Sequence, residues 1–477
     1  MKIDTVTPAT DINHSNLASH HLREFWAALG GAPELTDTCS FSGTGELISA
    51  FHVSDLAAAA IGAAGTAAAE LLQAATGVLP AVQVDRRMAS LWFGISLQPL
   101  GWKLPPLWDP VAGNYRARDG WIRLHTNAAH HRQAALSVLD CAADAASVAH
   151  AVQRWDAAAL EDAIVARSGC AAVMYSSEQW AVHPQGQAVA AEPLLHVDIG
   201  ARVATRAWQP SRDRPLRGIR VLDLTRILAG PVATRFLAGL GAEVLRIDPY
   251  GWEEPNVVPD VVLGKRCARL DLKNPVDLDT LKQLMSRADI VVHGYRSDAL
   301  ARLGLDAGQR REINPALIDV SLDAYGWSGV WQCRRGFDSL IQMSTGIAEA
   351  GMRAMGRDEP VNLPVQAIDH ATGYLMAAAA LRGLTLRMTQ GVGIGVRASL
   401  ARTAATLQLR AEPVSELVGF APDTPDDRNA DVEQTSWGPA ARLRAPLQID
   451  GAALAWRYPA RALGSYEPEW LSSNDGL

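Results

Sequence analysis

The sequence predicts an α/β protein, in which a doubly wound parallel sheet is accompanied by a smaller α+β domain. Two observations predict this fold class. From residue 219 onward, short apolar runs alternate with helical segments, a pattern typical of βαβ units whose strands pair in parallel. The earlier part of the chain is instead rich in alanine-containing helices around one short strand-like stretch, which is typical of a small α+β unit.

The amino-acid composition limits the functional classes to which the protein can belong. The chain has 477 residues, of which 48% are hydrophobic and 20% charged, and its formal net charge is −7. At roughly 100–200 residues per domain, this length predicts two to four domains. Proteins that grip phosphate backbones are usually basic, so we expect no nucleic-acid partner. The five cysteines form no C-x-x-C pair, which argues against a zinc site or a disulfide scaffold and predicts a cytoplasmic location.

The N-terminus lacks the apolar segment of a signal peptide. The most apolar stretch, 56–72, is mainly alanine and is interrupted by glycine, threonine and glutamate. It is too weakly apolar to span a bilayer, so we expect a closely packed helix and no membrane partner.

The N-terminal segment, 1–207, contains the small α+β unit. An alanine-rich helix ends near Gly77, and a second helix is predicted over 85–100. The alternating residues 121–124 indicate a strand, and alanine-rich periods over 128–180 indicate further helices.

A Pro- and Arg-rich linker, 208–215, leads into the α/β core, 216–410, and the polar residues that follow begin a linker and C-terminal segment, 411–477. Proline at position 231 suits a first helical turn, so a helix should open there, and a second helix is predicted over 275–288. Strands are predicted at 219–224, 243–248, 268–272, 289–295 and 316–324.

Two alanine-rich segments, each predicted as a helix, resemble each other in sequence. In each, an aspartate near the start is followed by a glycine twenty-two residues later, from Asp55 to Gly77 and from Asp369 to Gly391. Alanine-rich sequences agree easily by chance, so the pattern fits either an internal repeat or a coincidence.

The loop 225–231 connects the first predicted strand of the core to its helix. A helix N-terminus presents unpaired N–H groups, which suit a phosphate or a carboxylate, and Gly230 would let the backbone approach a ligand. The loop contains neither G-x-G-x-x-G nor G-x-x-x-x-G-K-[ST], so a plain tight turn is the alternative.

Asp369 is a candidate nucleophile. A carboxylate can attack an activated acyl carbon, and the alanines with Gly373 would leave room for a thioester. The alternative is a structural acid that stabilises the helix N-terminus. Asp55 has the same setting and the same two interpretations.

Basic residues cluster at strand ends of the core, where they would hold the phosphates of an anionic cofactor or simply lie on the surface. They are Arg226, Arg246, Lys265, Arg266, Lys273, Arg296, Arg302 and Arg335. Three histidines, His125, His130 and His131, fit no metal-binding spacing, so we expect capping or surface positions and no metal.

A family resemblance follows from a run of motifs in the core. It covers LRGIRVLDLTRILAGPVATRFLAGLGAEVLRID, GKRCARLDLKNP, DIVVHGYRSDALARLGL, NPALIDVSLDAYGWSG, RRGFDSLIQMSTG and AIDHATGYLMAAAALRGLTLRMTQGVG. These motifs strongly resemble the class III CoA-transferases, the family of formyl-CoA and carnitine CoA-transferases. The resemblance implies a Rossmann-like core that binds CoA.

The order of segments is unusual for that family. GNYRARDGWIRLHTN, at 113–127, resembles the small domain that normally follows the core, yet here it precedes it. We interpret the chain as a rearranged or partly duplicated member, in which a truncated copy is fused ahead of a second copy.

The resemblance implies that Asp369 is the catalytic nucleophile, with Asp55 as the second candidate. It also implies that CoA and acyl-CoA are substrates with no permanently bound cofactor, that a carboxylic acid is the acceptor, and that the protein is an interlocked homodimer. The implied CoA-binding positions are Arg226, Leu228, Ala229, Leu270, Lys273, Gly294, Tyr295, Arg296, Arg302 and Arg335.

Two other functions stay open. A branch of the family racemises 2-methylacyl-CoA with a histidine before the aspartate of a G-x-D motif, but this chain has Phe337 before Asp338. A phenyl ring transfers no proton, which weakens the racemase interpretation. The other alternative is a catalytically decayed subunit that binds CoA esters.

Overall fold

The computed structural model describes residues 14–295 and 298–471. The helices in these residues are α1 (His14–Ala28), α2 (Val53–Thr76), α3 (Arg86–Trp92), α4 (Ala129–Leu139), α5 (Ala145–Val152), α6 (Ala157–Ala166), α7 (Ser177–Val182), α8 (Pro184–Ala191), α9 (Ala229–Gly239), α10 (Val258–Val261), α11 (Pro275–Ser286), α12 (Ala307–Ile313), α13 (Asp338–Ser344), α14 (Ile347–Ala354), α15 (Ala367–Gln390) and α16 (Leu400–Ala404). The strands are β1 (Cys39–Ser42), β2 (Val82–Asp85), β3 (Leu97–Pro99), β4 (Gly113–Arg116), β5 (Trp121–Leu124), β6 (Ala171–Val173), β7 (His196–Arg202), β8 (Arg220–Leu224), β9 (Glu243–Asp248), β10 (Lys265–Arg269), β11 (Ile290–His293), β12 (Ile318–Asp323), β13 (Val392–Ser399), β14 (Glu433–Thr435), β15 (Gly438–Arg442) and β16 (Leu447–Ile449).

A seven-stranded sheet with the order β10-β9-β8-β11-β12-β13-β7 forms the centre of the molecule. Six strands are parallel, and β7 is antiparallel to β13 at the edge. Val221 packs with α9 and α15 on one face, while its neighbour Leu222 packs with α11 on the other. The α/β, doubly wound fold is confirmed. The order in which successive strands are added to the sheet reverses between β8 and β11. Ligands bind at this position in folds of this class.

The core extends across the predicted domain boundary. Strand β7, which lies within the predicted segment 1–207, is an edge strand of the central sheet. Helices α1 and α2 share one apolar core with α9, α15 and the sheet. The two parts of the chain therefore share one hydrophobic core, because the N-terminal helices are buried against the helices and sheet of the C-terminal part.

Smaller sheets complete the structure. Strands β4, β5 and β6 form an antiparallel sheet that packs on α4, α5 and α6, which is the predicted α+β unit. The C-terminal segment pairs with the N-terminal one twice, since β15 lies against β3 and β16 lies against β2. The end of the predicted helix over 85–100 is instead β3.

The two similar alanine-rich segments form two equivalent helices, α2 and α15, which pack side by side. Each has 24 residues, and each ends at a glycine in the left-handed conformation, Gly77 with φ 75° and Gly391 with φ 71°. Each is followed by a strand that pairs in parallel, β2 with β1 and β13 with β12. The next helix is capped in both cases, by Asp85 and by Ser399. The N-terminal part thus repeats part of the C-terminal fold.

Helix α2 is the single helix in the described ranges that is long and apolar enough to cross a membrane by length and composition. The whole of its apolar window is buried inside the protein. Its environment is that of a core helix, which explains its alanine content, because small side chains permit close approach of α15 and α1.

Candidate active site

A cavity of about 510 Å³ lies beyond the carboxyl ends of β8 and β11. The loop after β8 and residues Gly294 and Tyr295 after β11 form one side of it, and Asp369 contributes to the opposite side. The cavity thus opens at the point where the strand order reverses, as the fold class leads us to expect.

Asp369 lies in the first turn of α15 and is 7% exposed. Among the described residues its carboxyl group has no hydrogen-bond donor or cation beside it. Burial raises the pKa of Asp369 well above its ordinary value, and the neighbouring Asp338 carboxyl raises it further. A desolvated carboxylate with few stabilising contacts is a stronger nucleophile than one in water.

Asp338 opens α13 and is completely buried. Its Oδ2 accepts the backbone N–H of Asp369 at 2.9 Å, so it caps α15 from a neighbouring helix. Gln342 donates to its other oxygen. Burial raises the pKa of Asp338 to about 6, although these hydrogen bonds oppose the shift. The two adjacent carboxyl groups therefore titrate as a pair.

Asp223 anchors the start of the first loop. Its Oδ1 accepts the N–H of Thr225 at 2.9 Å, and its Oδ2 accepts from Lys265 Nζ at 3.0 Å. Gly230 is required by a close approach within the loop, because a Cβ there would lie 2.3 Å from the Cβ of Thr225. The sequence led us to expect that Gly230 makes room for a ligand. The structure shows that it makes room for a neighbouring side chain while still lining the cavity.

The middle of this loop is held in a strained conformation. Ile227 has φ 65°, a value that is rare for a β-branched residue. Its N–H donates to Glu254 at 2.9 Å, and Glu254 is in turn fixed by Arg246 at 2.9 Å and by the Trp252 indole at 2.6 Å. The second βα loop therefore sets the conformation of the first.

Arg226 extends from this loop between two aromatic rings of the cavity. Its guanidinium lies 4.7 Å from the centre of the Trp252 ring and 5.2 Å from that of Tyr295, and it approaches the Tyr295 hydroxyl at 3.3 Å. Cation–π contacts of this kind orient the guanidinium without neutralising it. Its charge thus remains available to an anionic ligand.

The structure brings six of the ten predicted CoA-binding residues together around this cavity. They are Arg226, Leu228, Ala229, Gly294, Tyr295 and Arg335. Three others lie elsewhere: Leu270 is buried in the opposite core, Lys273 is exposed, and Arg302 pairs with Asp298 on the surface. Arg296 lies outside the described residues.

Asp55, the second candidate nucleophile, lines none of the described cavities. It is completely buried, and its Oδ1 accepts from Arg86 Nε at 2.8 Å while His52 Nδ1 lies 3.3 Å from Oδ2. Burial raises its pKa, but the hydrogen bonds from His52 and Arg86 outweigh burial and hold the pKa below its ordinary value. Arg86 is the first residue of α3, and the equivalent first residue of α16 is Leu400, which lines the cavity beside Asp369.

Two of the basic residues that we considered as phosphate ligands have structural partners instead. Arg246 is fully buried between Asp248 and Glu254, and Lys265 is fully buried beside Asp223. Neither side chain lines the cavity, because both are buried with their carboxylate counter-ions inside the protein. The partner of Lys265 lies 42 residues earlier in the chain, whereas those of Arg246 are only two and eight residues away.

Two of the three histidines differ from the expected surface or capping positions, whereas His130 is exposed as expected. His125 and His131 are buried, and His130 and His131 line the cavity. His125 stacks on Phe337 with ring centres 3.9 Å apart. Burial lowers the pKa of His131 to about 3, so its imidazole is neutral. No cluster of three or more metal-ligating side chains occurs in residues 14–295 and 298–471.

Sequence reasoning missed Trp252, Glu254 and the direct contact between Asp338 and Asp369. Trp252 and Glu254 follow the second strand by only a few residues, and a search for polar and aromatic residues after strand ends would have found them. The contact of Asp338 with α15 required knowledge of helix packing.

Part of the chain is similar to proteins of known family. Residues 216–431 match the model of CoA-transferase family III. An acyl-CoA transferase of Gibberella moniliformis is 30% identical over 263 residues, which are 52% of this chain and 46% of that protein. A probable fatty acyl-CoA transferase of Mycobacterium tuberculosis is 31% identical over 41% of this chain and 52% of its own length.

A succinate–glutarate CoA-transferase of Agrobacterium fabrum is 32% identical over 39% of this chain and 50% of its own length. The chain thus spans about half the length of these curated relatives. The matched residues 216–431 include both the loop around Arg226 and Asp369. Residues 216–431, slightly less than half of the chain, are thus similar to CoA-transferase family III.

Proposed function

We propose that the protein transfers CoA between an acyl-CoA thioester and a carboxylic acid, with Asp369 as the nucleophile. One observation carries the proposal: of two equivalent aspartates on two equivalent helices, only Asp369 lines one of the described cavities, and no cation among the described residues lies at its carboxyl group. A nucleophile must be reachable and unpaired, and Asp55 is neither.

The reaction follows from covalent catalysis by a carboxylate. Asp369 attacks the thioester carbonyl, the C–S bond breaks, and CoA thiolate leaves an acyl-aspartyl anhydride. The thiolate then attacks the aspartyl carbonyl and releases the first acid, so CoA is held as an aspartyl thioester. The acceptor carboxylate attacks that thioester and again releases thiolate, and the thiolate takes the new acyl group and restores Asp369.

The cavity provides groups that suit these steps. No side chain caps the N-terminus of α9, whose first residues Ala229 and Gly230 line the cavity, so its N–H groups suit an anionic oxygen. Arg226 and Arg335 line the same space and suit the phosphates of CoA. Burial leaves the Asp369 carboxyl group weakly solvated, which raises its pKa and makes the ionised form a stronger nucleophile.

The proposal predicts a covalent label on one residue. The protein is incubated with acyl-CoA and hydroxylamine, digested and analysed by mass spectrometry. We expect an aspartyl hydroxamate on the peptide that contains Asp369, and none in the Asp369→Asn variant. A hydroxamate on the Asp55 peptide, or CoA transfer by folded Asp369→Ala at the wild-type rate, would contradict the assignment.

The racemase alternative has less support. Phe337 occupies the position before Asp338 and lines the cavity, and the pKa of about 3 makes His131 a poor proton acceptor at neutral pH. Exchange of deuterium from solvent into the α-carbon of 2-methylacyl-CoA, without any acceptor acid, would favour it. A decayed subunit would bind CoA without transferring it to any acid. The interlocked homodimer stays a prediction.

A further inference from the structure

A second cavity of about 320 Å³ adjoins the first. Leu228 lines both cavities, so its side chain lies between them. Gln366, three residues before Asp369, and His370, directly after it, line the second cavity. An acyl group bonded to Asp369 therefore lies next to this space.

Arg123 lines the second cavity and is unusual among the buried arginines. It lies on β5 in the N-terminal part of the chain and is 7% exposed. Eight other buried arginines in the described ranges each have a carboxylate oxygen within 4.0 Å: Arg86, Arg235, Arg246, Arg266, Arg310, Arg387, Arg410 and Arg442. Arg123 has no such partner among the described residues.

The remaining contacts of Arg123 hold it without neutralising it. Its Nη1 donates to the Asn114 side chain at 2.8 Å, and its guanidinium lies 4.7 Å from the centre of the Trp108 ring. Its Nε is buried and has no hydrogen-bond acceptor. Burial lowers the pKa of Arg123 to about 10, although the nearby Asp338 opposes the shift, so the side chain is still charged at neutral pH.

Other groups around the second cavity do not supply the missing negative charge. Asp260 lines it but already pairs with Arg235 at 2.8 Å and with Arg442 at 2.7 Å. His370 is neutral, because burial lowers its pKa to about 3. Among the side chains that line the second cavity, none therefore supplies a carboxylate partner for Arg123.

A buried guanidinium without a counter-ion is costly, and a ligand carboxylate removes that cost while making charge-assisted hydrogen bonds. We propose that the second cavity receives the acyl chain of the substrate and that Arg123 binds a carboxylate at its far end. The substrates are then short dicarboxylic acids and their CoA thioesters. This inference rests on the proposed function.

The first test compares two donors of equal carbon number, succinyl-CoA and butyryl-CoA, with one acceptor acid. The wild-type protein should prefer succinyl-CoA. In Arg123→Gln, kcat/KM for succinyl-CoA should fall on the order of 10- to 100-fold, the range expected for loss of a hydrogen bond to a charged group. The value for butyryl-CoA should change by less than about threefold. Arg123→Lys, which keeps the charge, should recover part of the loss.

Arg116→Gln is the matched control. Arg116 lies on the neighbouring strand β4, is exposed and lines neither cavity, so its removal changes the charge of the same unit without affecting the site. Both donors should keep their wild-type kcat/KM. Because Arg123 lacks a counter-ion, Arg123→Gln should also keep the wild-type melting temperature, which separates it from a folding defect.

Calorimetry with succinate and butyrate separates this inference from the proposed function. If the wild type transfers CoA only from butyryl-CoA, or Arg123→Gln impairs both donors equally, the dicarboxylate assignment is overturned while CoA transfer stands. If no donor is used but succinate binds and Arg123→Gln abolishes that binding, the carboxylate site stands and CoA transfer fails. If succinate neither binds nor reacts, the assignment of Arg123 is wrong.

Discussion

The two equivalent aspartates give opposite predictions for one substitution, aspartate to asparagine. In α2, Asp55→Asn removes the charge that neutralises Arg86 at 2.8 Å in a fully buried position. Loss of one partner of a buried ion pair costs about 3–5 kcal/mol. Arg86 keeps a contact with Glu46, so we expect a value near 3 kcal/mol.

In α15, Asp369→Asn acts in the other direction. The pKa of Asp369 is raised by burial and by Asp338, so the folded state binds its proton more tightly than the unfolded state does. The stabilisation from that proton is complete below the ordinary aspartate pKa and is lost as the pH rises through the folded pKa. A neutral asparagine does not undergo this loss, so the free energy of unfolding at pH 7 should be at least that of the wild type.

The assay combines urea unfolding at pH 7 with CoA transfer per folded molecule. Asp55→Asn should be less stable but active where it is folded, and Asp369→Asn should be at least as stable as the wild type but inactive. Arg86→Leu gives the matched control, because it leaves the buried Asp55 charged without its arginine partner; adding Asp55→Asn should recover part of its stability. An inactive, fully stable Asp55→Asn would refute this division of roles.

Three further predictions concern the first cavity. Gly373→Ala would place a Cβ 2.4 Å from the Ala229 carbonyl oxygen, so the free energy of unfolding should fall by about 1–3 kcal/mol in urea titrations. Asp338→Asn removes the negative charge that raises the pKa of Asp369, so the acidic limb of the kcat–pH profile should move to lower pH; an unchanged limb would contradict the coupling. Arg226→Met should weaken CoA binding on the order of 10- to 100-fold in calorimetry, most at low salt, with an unchanged melting temperature.

Strands with simple apolar patterns could be predicted from the sequence, and those with unusual composition could not. The residues 243–248 were predicted as they occur in β9. Strand β10 begins at Lys265 rather than at residue 268, because its first charged residues are buried with partners that the sequence does not reveal. Strand β13 was missed since its glycines weaken the pattern; at Gly393 a Cβ would lie 2.6 Å from the Pro315 carbonyl oxygen, so a close backbone contact dictates the residue.

The candidate site was predictable where its residues are close in the sequence to strand ends. Arg226 follows β8 and was found that way, whereas Tyr295, which follows β11, came only from the family resemblance. The second cavity was not predictable, because Arg123 and His370 come from distant segments that only packing brings together. The same reason hid the role of Arg86, whose partner Asp55 lies 31 residues earlier.

The presence of both helices, α2 and α15, in a single polypeptide changes how the pair can evolve. In an assembly of two identical chains, any substitution appears twice, so a residue that seals one copy also seals the other. Here position 86 carries arginine while the corresponding position 400 carries leucine. The start of α2 is closed by the ion pairs of Arg86, whereas the start of α15 borders a cavity. Two identical chains could not acquire this difference by point mutation, because each substitution would change both sites.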